Sequence, residues 1–250
     1  MTNKFMYFIA NWKMFGDLKS LNSLTKVINF SKKQKKKRFK LIYCPPFTLL
    51  NLFFNRLKKT NIDIGAQNCH HDFNNTAHTG CINSKMVKNI GAKYIILGHS
   101  ENRLVGDNDL IINMKIKSSI KNNLKIIFCI GETNFQKRKK LTYKILSKQI
   151  KKGLNGVKNF NSILFAYEPV WAIGTGVIPS NEELKKNINY IKNTLKKNFN
   201  LKKPKVLYGG SVNPINVKNL RKINIIDGFL VGGASQNPNK FIDIVKKTFN

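Results

Sequence analysis

A lysine, a histidine, a lone glutamate and two glycine pairs each stand directly after an apolar run. They lie in "ANWKM" (10–14), "GHSENR" (98–103), "AYEPVWAIGTG" (166–176), "YGGSV" (208–212) and "LVGGAS" (230–235). Glu168 has no second catalytic carboxylate beside it in sequence, so the paired-acid chemistry of glycoside hydrolysis is unsupported. A solitary carboxylate closed into an apolar pocket suits proton abstraction instead. A histidine opposite it, His99, could polarise a carbonyl, and Lys13 supplies positive charge for an anionic substrate. Gly209–Gly210 with Ser211, and Gly232–Gly233, expose backbone N–H groups that no side chain obstructs. Beside a short helix N-terminus, such groups form a phosphate cradle. Taken singly, a strand-end histidine is more often just hydrogen-bonded and a glycine pair a tight turn. Their convergence on one face is what those bland readings explain poorly.

The elements that must position these residues are eight apolar, β-branched and aromatic runs. They are "FMYFIAN" (5–11), "KLIYC" (40–44), "IDIGA" (62–66), "YIILGH" (94–99), "KIIFCIG" (125–131), "ILFAYE" (163–168), "KVLYGG" (205–210) and "GFLVGG" (228–233). The runs are near-continuously apolar, as strands covered on both faces are. Amphipathic segments separate them, the pattern of βα units in a parallel sheet. "NEELKKNINYIKNTLKKNF" (181–199) puts Leu184, Ile188, Ile191 and Leu195 on one stripe, and Ser180 with Glu183 predicts a capping box. Asn213 and Pro214 predict a helix start at 213–220. Eight units with no linker favour a closed (β/α)8 barrel, one domain over 1–250, above an open doubly wound sheet. In such a barrel the strand C-terminal ends carry the chemistry. Those ends hold Asn11 and Lys13, Gln67 and Asn68, His99 to Glu101, Glu132, Glu168 and the two glycine pairs.

A length of 250 residues and an apolar fraction of 42% suit one barrel. Four cysteines without CxxC spacing indicate a reducing compartment. No signal peptide or membrane span is evident, so a cytoplasmic protein is expected. The balance of 45 Lys+Arg against 12 Asp+Glu, a formal +33, could mark a nucleic-acid surface. The lysines are dispersed, however, with one dense block, "KKQKKKRFK" (32–40), and they accompany an excess of Asn, Ile and Phe. Base-composition bias accounts for the charge more simply, and no nucleic-acid partner is expected. "CHHDFNNTAHTGC" (69–81) gathers Cys69, His70, His78 and Cys81, ligand types that suit zinc. The usual paired spacing is missing, so no built-in metal site is expected.

Together the five quoted motifs, in order from about residue 5 to 248, resemble the triosephosphate isomerase family. The resemblance implies interconversion of the two triose phosphates by a homodimeric barrel without metal or organic cofactor. It implies that Glu168 is the base, Lys13 neutralises developing charge and Asn11 adds a hydrogen bond. His99 would be the electrophile, which in this family a helix N-terminus is held to keep neutral. Gly174, Ser211, Gly232 and Gly233 would hold the phosphate, and Glu101 would be a supporting residue. Pro169–Trp171 would be a stiff hinge, Ala172–Gly174 the tip of a lid, and Thr175–Gly176 the start of the second hinge. The loop at 67–83 would dock beside the partner's mouth. Two positions depart from the family pattern together: Cys81 stands where a glutamate is usual, and Asn102 where an arginine is usual. Those two side chains resemble partners in an ion pair across the interface.

Overall fold

In the computed structural model, which describes residues 4–34 and 38–249, eight parallel strands close into a barrel in chain order. They are β1 (Met6–Asn11), β2 (Phe39–Cys44), β3 (Asp63–Ala66), β4 (Tyr94–Leu97), β5 (Lys125–Ile130), β6 (Ile163–Tyr167), β7 (Val206–Tyr208) and β8 (Gly228–Val231). Closure is the pairing of β8 with β1, from Tyr7 with Gly228 to Ala10 with Val231. Each strand falls on an expected run, most with ends one or two residues short where the chain turns into a loop, while β2 begins one residue early, at Phe39. The centre of the basic block at 32–40, residues 35–37, lies outside the described residues.

Alternation explains why these runs are continuously apolar. Successive side chains point to opposite faces of a strand, and here both faces are buried. Ile9, Ile42, Ile96, Ile127, Cys129, Ala166 and Leu207 fill the barrel interior. Their strand neighbours, such as Phe8, Leu97, Phe128 and Phe165, pack outward in a second cluster against the helices.

The helical layer is α1 (Ser23–Lys33), α2 (Phe47–Leu57), α3 (Ser84–Asn89), α4 (Ser100–Leu104), α5 (Asp109–Lys121), α6 (Asn134–Arg138), α7 (Thr142–Gly153), α8 (Asn181–Phe199), α9 (Val217–Leu220) and α10 (Pro238–Phe249). α8 spans the expected residues and buries the expected stripe of Leu184, Ile188, Ile191 and Leu195. Only half of its capping box forms. Ser180 Oγ accepts the Glu183 N–H at 3.1 Å, while the Glu183 carboxylate turns to Lys137 Nζ at 2.7 Å. Asn213, expected as a helix N-cap, instead holds the turn before the helix, its Oδ1 accepting from the N–H groups of Ile215 and Asn216, and Asn216 stands at the cap position. The following turn becomes helical only at Val217, later than the sequence suggests.

At the end of the barrel away from the mouth, buried aspartates gather lysines. Asp63 meets Lys40 at 2.7 Å and Lys93 at 2.9 Å; Asp227 meets Lys192 at 2.6 Å and Lys4 at 2.8 Å. Burial pushes the Asp227 carboxyl up, but hydrogen bonds from Lys192, Lys4 and the Val206 N–H outweigh it and leave its pKa lowered. At the mouth, the constraint is steric. Gly131 follows β5, and a Cβ there would fall on the carbonyl oxygen of Glu168, the residue that follows β6. Gly131→Ala is therefore expected to destabilise the fold by about 1–3 kcal/mol. Thermal unfolding checks this, and an unchanged melting temperature would contradict the close approach of β5 and β6.

Candidate active site

The C-terminal ends of the strands surround one cavity of about 290 Å³. It brings together Asn11, Lys13, His99, Glu168, Gly174, Ser211, Gly232 and Gly233, which come from five strand ends and one loop. Glu101 is not part of this lining. It stands half in solvent at the rim, and its Oε1 pairs with Lys13 Nζ at 2.5 Å. Lys13 occupies the left-handed region at φ 55°, and its N–H is fixed by Asn11 Oδ1 at 3.1 Å. Gln67 Nε2 donates to the carbonyls of Lys13 and Cys44, both at 2.8 Å, so it braces the loop that carries the lysine. Asn68 serves elsewhere, accepting Lys115 Nζ at 3.0 Å.

Glu168 is 2% exposed. Its Oε1 lies 3.3 Å from His99 Nε2. Burial raises the Glu168 pKa; His99, the Ser100 backbone N–H, the Cys129 thiol and Lys13 oppose the rise without cancelling it. A carboxylate kept in apolar surroundings is a stronger base than one in water. His99 begins α4, and its Nδ1 accepts the Glu101 N–H at 3.2 Å. A nitrogen accepting a backbone N–H carries no proton, which assigns the neutral ring with its proton on Nε2, facing Glu168. The site thus places a buried carboxylate and an imidazole N–H donor side by side.

The segment after Glu168 is anchored by a residue for which the sequence offered no role. Glu132 is fully buried, and its carboxylate accepts Trp171 Nε1 at 2.9 Å and the Tyr167 hydroxyl at 3.2 Å. Asn187 Nδ2 donates to that hydroxyl at 2.9 Å, and the Val170 N–H donates to the Glu132 carbonyl at 3.0 Å. Lys137 Nζ sits 3.4 Å from the centre of the Trp171 ring. Pro169–Trp171 is thereby fixed on two sides, as a stiff hinge requires.

The residues expected at the lid tip, Ala172–Gly174, differ in exposure. Ala172 is buried, and its carbonyl accepts both the Ser211 N–H, at 3.1 Å, and Ser211 Oγ, at 2.8 Å. The exposed stretch is instead Gly174–Val177. Gly174 and Gly176 have φ of 71° and 76°, the left-handed region that favours glycine. Ser211 Oγ also accepts the Gly176 N–H at 3.2 Å, so in this arrangement Ser211 serves the lid. Across the cavity, Gly233 opens a 3-10 turn (Gly233–Gln236), and a Cβ at Gly233 or Gly174 would meet nothing within 4 Å. Backbone at both positions is open to a ligand.

In the loop after β3, the thiols do not join the imidazoles. Cys69 is buried with Sγ 3.7 Å from Ser119 Oγ, whereas Cys81 is exposed. The four-residue zinc set weighed from the sequence is therefore not assembled.

Fold and mouth together define a barrel enzyme of the (β/α)8 class. The family model for triosephosphate isomerase matches residues 6–248, and the chain belongs to that family. The triosephosphate isomerase of Thermodesulfovibrio yellowstonii is 40% identical over 250 residues, covering 98% of this chain and all of the relative. That of Aquifex aeolicus is 38% identical, covering 94% of this chain and 96% of the relative. The crystal structure of triosephosphate isomerase from Bartonella henselae superposes with a TM-score of 0.89 at 30% identity, covering 98% of this chain and 99% of that one.

Gly209 holds the space into which the base fits. A Cβ there would lie 2.7 Å from Glu168 Cγ. Gly209→Ala is expected to lower kcat by up to about 10²-fold, the scale of an ångström-sized misplacement of a reacting group. Its effect on KM should be much smaller. Steady-state kinetics check this; a kcat equal to the parent's would contradict the steric argument.

Proposed function

We infer that the chain interconverts dihydroxyacetone phosphate and D-glyceraldehyde 3-phosphate, a step of glycolysis and gluconeogenesis, with Glu168 as the proton carrier. The observation that carries this reading is the buried Glu168 carboxylate 3.3 Å from a neutral His99, within one cavity that also holds Lys13 and the open glycine backbone. The carboxylate takes a proton from the carbon beside the substrate carbonyl, and the bonding pair moves to form the enediolate. The Nε2–H of His99 hydrogen-bonds the enediolate oxygens, Lys13 offsets their charge and Asn11 adds a hydrogen bond. Protonated Glu168 then returns the proton to the neighbouring carbon, while the hydroxyl proton passes from the oxygen on the first carbon to the oxygen on the second, so that the first carbon becomes the new carbonyl. Atoms and electrons balance within substrate and carboxylate, so the step needs no cofactor.

The substrate phosphate is held by the backbone of Gly232 and Gly233, with Ser211 and the Gly174 N–H delivered by the lid. Closing the lid excludes water, strengthens the base and keeps the enediolate from eliminating phosphate. The Tyr208 hydroxyl, buried beside Gly210 without a hydrogen-bond partner, is an acceptor that a second lid position can satisfy. Activity assay of Glu168→Gln with both triose phosphates tests the assignment. Turnover is expected to fall ~10²–10⁴-fold or more, the scale for deleting a general base, while phosphate binding remains measurable. Near-native turnover would overturn it.

The chain, 1–250, works as one barrel domain in the cytoplasm and pairs as a homodimer through the loop at 67–83. Among the described residues, no helix is long and apolar enough to cross a membrane. Near the mouth, Met14, Phe15, Leu104 and Val105 are exposed apolar side chains, and Val105 shares a groove with Cys81. These suit a covering partner surface. The +33 reflects composition and marks no nucleic-acid partner.

Cys81 and Asn102 together remove an ion pair usual at this interface. Losing one member alone would leave a partly buried charge unpaired, at a cost of ~3–5 kcal/mol; losing both avoids that penalty. The dimer is expected to persist on loop packing and Thr79. Cys81→Glu alone should weaken it, and Cys81→Glu with Asn102→Arg should restore it. The coupling energy from dimer dissociation constants decides. A value near zero, or a fully active monomer at assay concentrations, would contradict the proposed interface.

A further inference from the structure

Glu183 forgoes the cap that its position offers. As the third residue of α8, after Ser180, it stands where a carboxylate ordinarily reaches back to the cap N–H. It crosses instead to α6 and meets Lys137 Nζ at 2.7 Å, each side chain about a third exposed. A local helix contact is thus exchanged for one between elements, and Lys137 in turn lies over the ring of Trp171.

Two partners of opposite charge hold that ring. Lys137 Nζ sits over its face, 3.4 Å from the centre, while Glu132 Oε1 accepts the indole N–H at the edge at 2.9 Å. An indole is negative on its face and positive at its edge, so each partner meets the region that attracts it. Both come from one short turn. Glu132 directly precedes Thr133, the cap of α6, and Lys137 lies in the last turn of that helix. A reciprocal cap fixes the turn: the Thr133 N–H donates to Gln136 Oε1 at 2.9 Å, and the Gln136 N–H to Thr133 Oγ1 at 3.3 Å. The Lys137 N–H adds a bond to the Thr133 carbonyl at 2.9 Å. Burial raises the pKa of Glu132 and of Tyr167, and the Glu183 charge adds to both rises. Pairing with Lys137 offsets that charge. With Trp171 held in this way, Ile173, Gly174 and Gly176 line the active-site cavity.

We propose that Lys137 is a positioning residue for the lid: anchored to α8 by Glu183, it grips the face of Trp171 and keeps the lid segment over the cavity. The inference rests on the isomerase reading and adds to it a charged contact, outside the cavity, that biases the lid toward its covering position. Without the grip, Trp171 leaves this position more often, substrate is held less well and the enediolate is exposed. Its escape is elimination. An enediolate oxygen pair forms a carbonyl, the carbon–carbon double bond shifts toward the phosphate-bearing carbon, and the C–O bond breaks with its pair leaving on inorganic phosphate.

Lys137→Met keeps the stem and removes the charge, while Lys137→Arg keeps the charge. With the two triose phosphates, kcat/KM is expected to fall roughly 3–30-fold in Lys137→Met, the factor a cation–indole contact contributes between exposed and desolvated settings. Inorganic phosphate released per isomerisation should rise, and Lys137→Arg should restore both quantities. Lys139→Met, which removes the ammonium 4.4 Å from the Phe135 ring centre, should change neither. Fluorine NMR of protein labelled with 5-fluorotryptophan reads the grip without turnover. Of the chain's two tryptophan signals, the one lost in Trp171→Phe should be narrow in the parent and broadened or split in Lys137→Met. A parent inactive on triose phosphates would defeat the isomerase reading, and the fluorine signal would still decide for or against the grip. A Trp171 signal equally narrow in parent and Lys137→Met, unchanged phosphate release, or a Lys137→Arg enzyme no better than Lys137→Met would each overturn the proposal.

Discussion

A carboxylate removed from water at the open end of the barrel sets the terms for much of the surrounding structure. Burial of Glu168 disfavours its charged form, and the site offsets this only partly, through His99, the Ser100 N–H, the Cys129 thiol and Lys13. Each contributor is tied to the barrel. Ser100 and His99 start the helix that follows β4, and Cys129 lies in β5 next to β6. Arg103 reinforces the arrangement by pairing with Asp109 at 2.7 Å and donating to the Gly98 carbonyl at 2.8 Å, which steadies the turn before His99. Gly131 and Gly209 are glycines because the base and its backbone occupy the space a side chain would need.

The same burial explains the segment that follows. A base strengthened by exclusion of water works only if water stays out during reaction, and substrate must still enter. The chain meets both demands by joining a rigid hinge to a glycine-bearing tip. The Glu132–Trp171–Tyr167–Asn187 network fixes the first, while Gly174 and Gly176 supply the second. Glu132 is itself a buried carboxylate with a pKa raised by burial, and the Tyr167 hydroxyl, shared between its two oxygens, and Trp171 Nε1 partly compensate. Acidic residues are scarce in this chain, and several sit where a lysine or arginine must be held. Asp63 and Asp227 do so beneath the barrel, Asp107 with Lys115 and Asp109 with Arg103 beside the mouth.

Much of this was legible in the sequence. Continuous apolar runs marked strands buried on both faces, and polar residues at their ends marked the mouth, so Asn11, Lys13, His99 and Glu168 could be grouped before any coordinates. What the sequence could not reveal were contacts with no local spacing. Glu132 lies 39 residues from the Trp171 side chain it fixes, and Ser211 lies 39 residues from the Ala172 carbonyl that draws its hydroxyl to the lid. Only barrel closure brings such pairs together. For the same reason the burial of Ala172 was not legible, since the residue is small and gives no sign that its carbonyl finds Ser211. In the loop after β3 the composition suggested thiol ligands. The backbone instead buries Cys69 against Ser119 and turns the imidazoles toward Asp72.

The central claim is that burial makes the Glu168 carboxylate more basic than a solvated one. Titration of its side-chain carboxyl by ¹³C NMR, assigned by the resonance lost in Glu168→Gln, tests this directly. The account predicts a midpoint above the ordinary glutamate value of 4.5, so that the group is still partly protonated where a solvated glutamate is already ionised. A midpoint at or below 4.5 would contradict it.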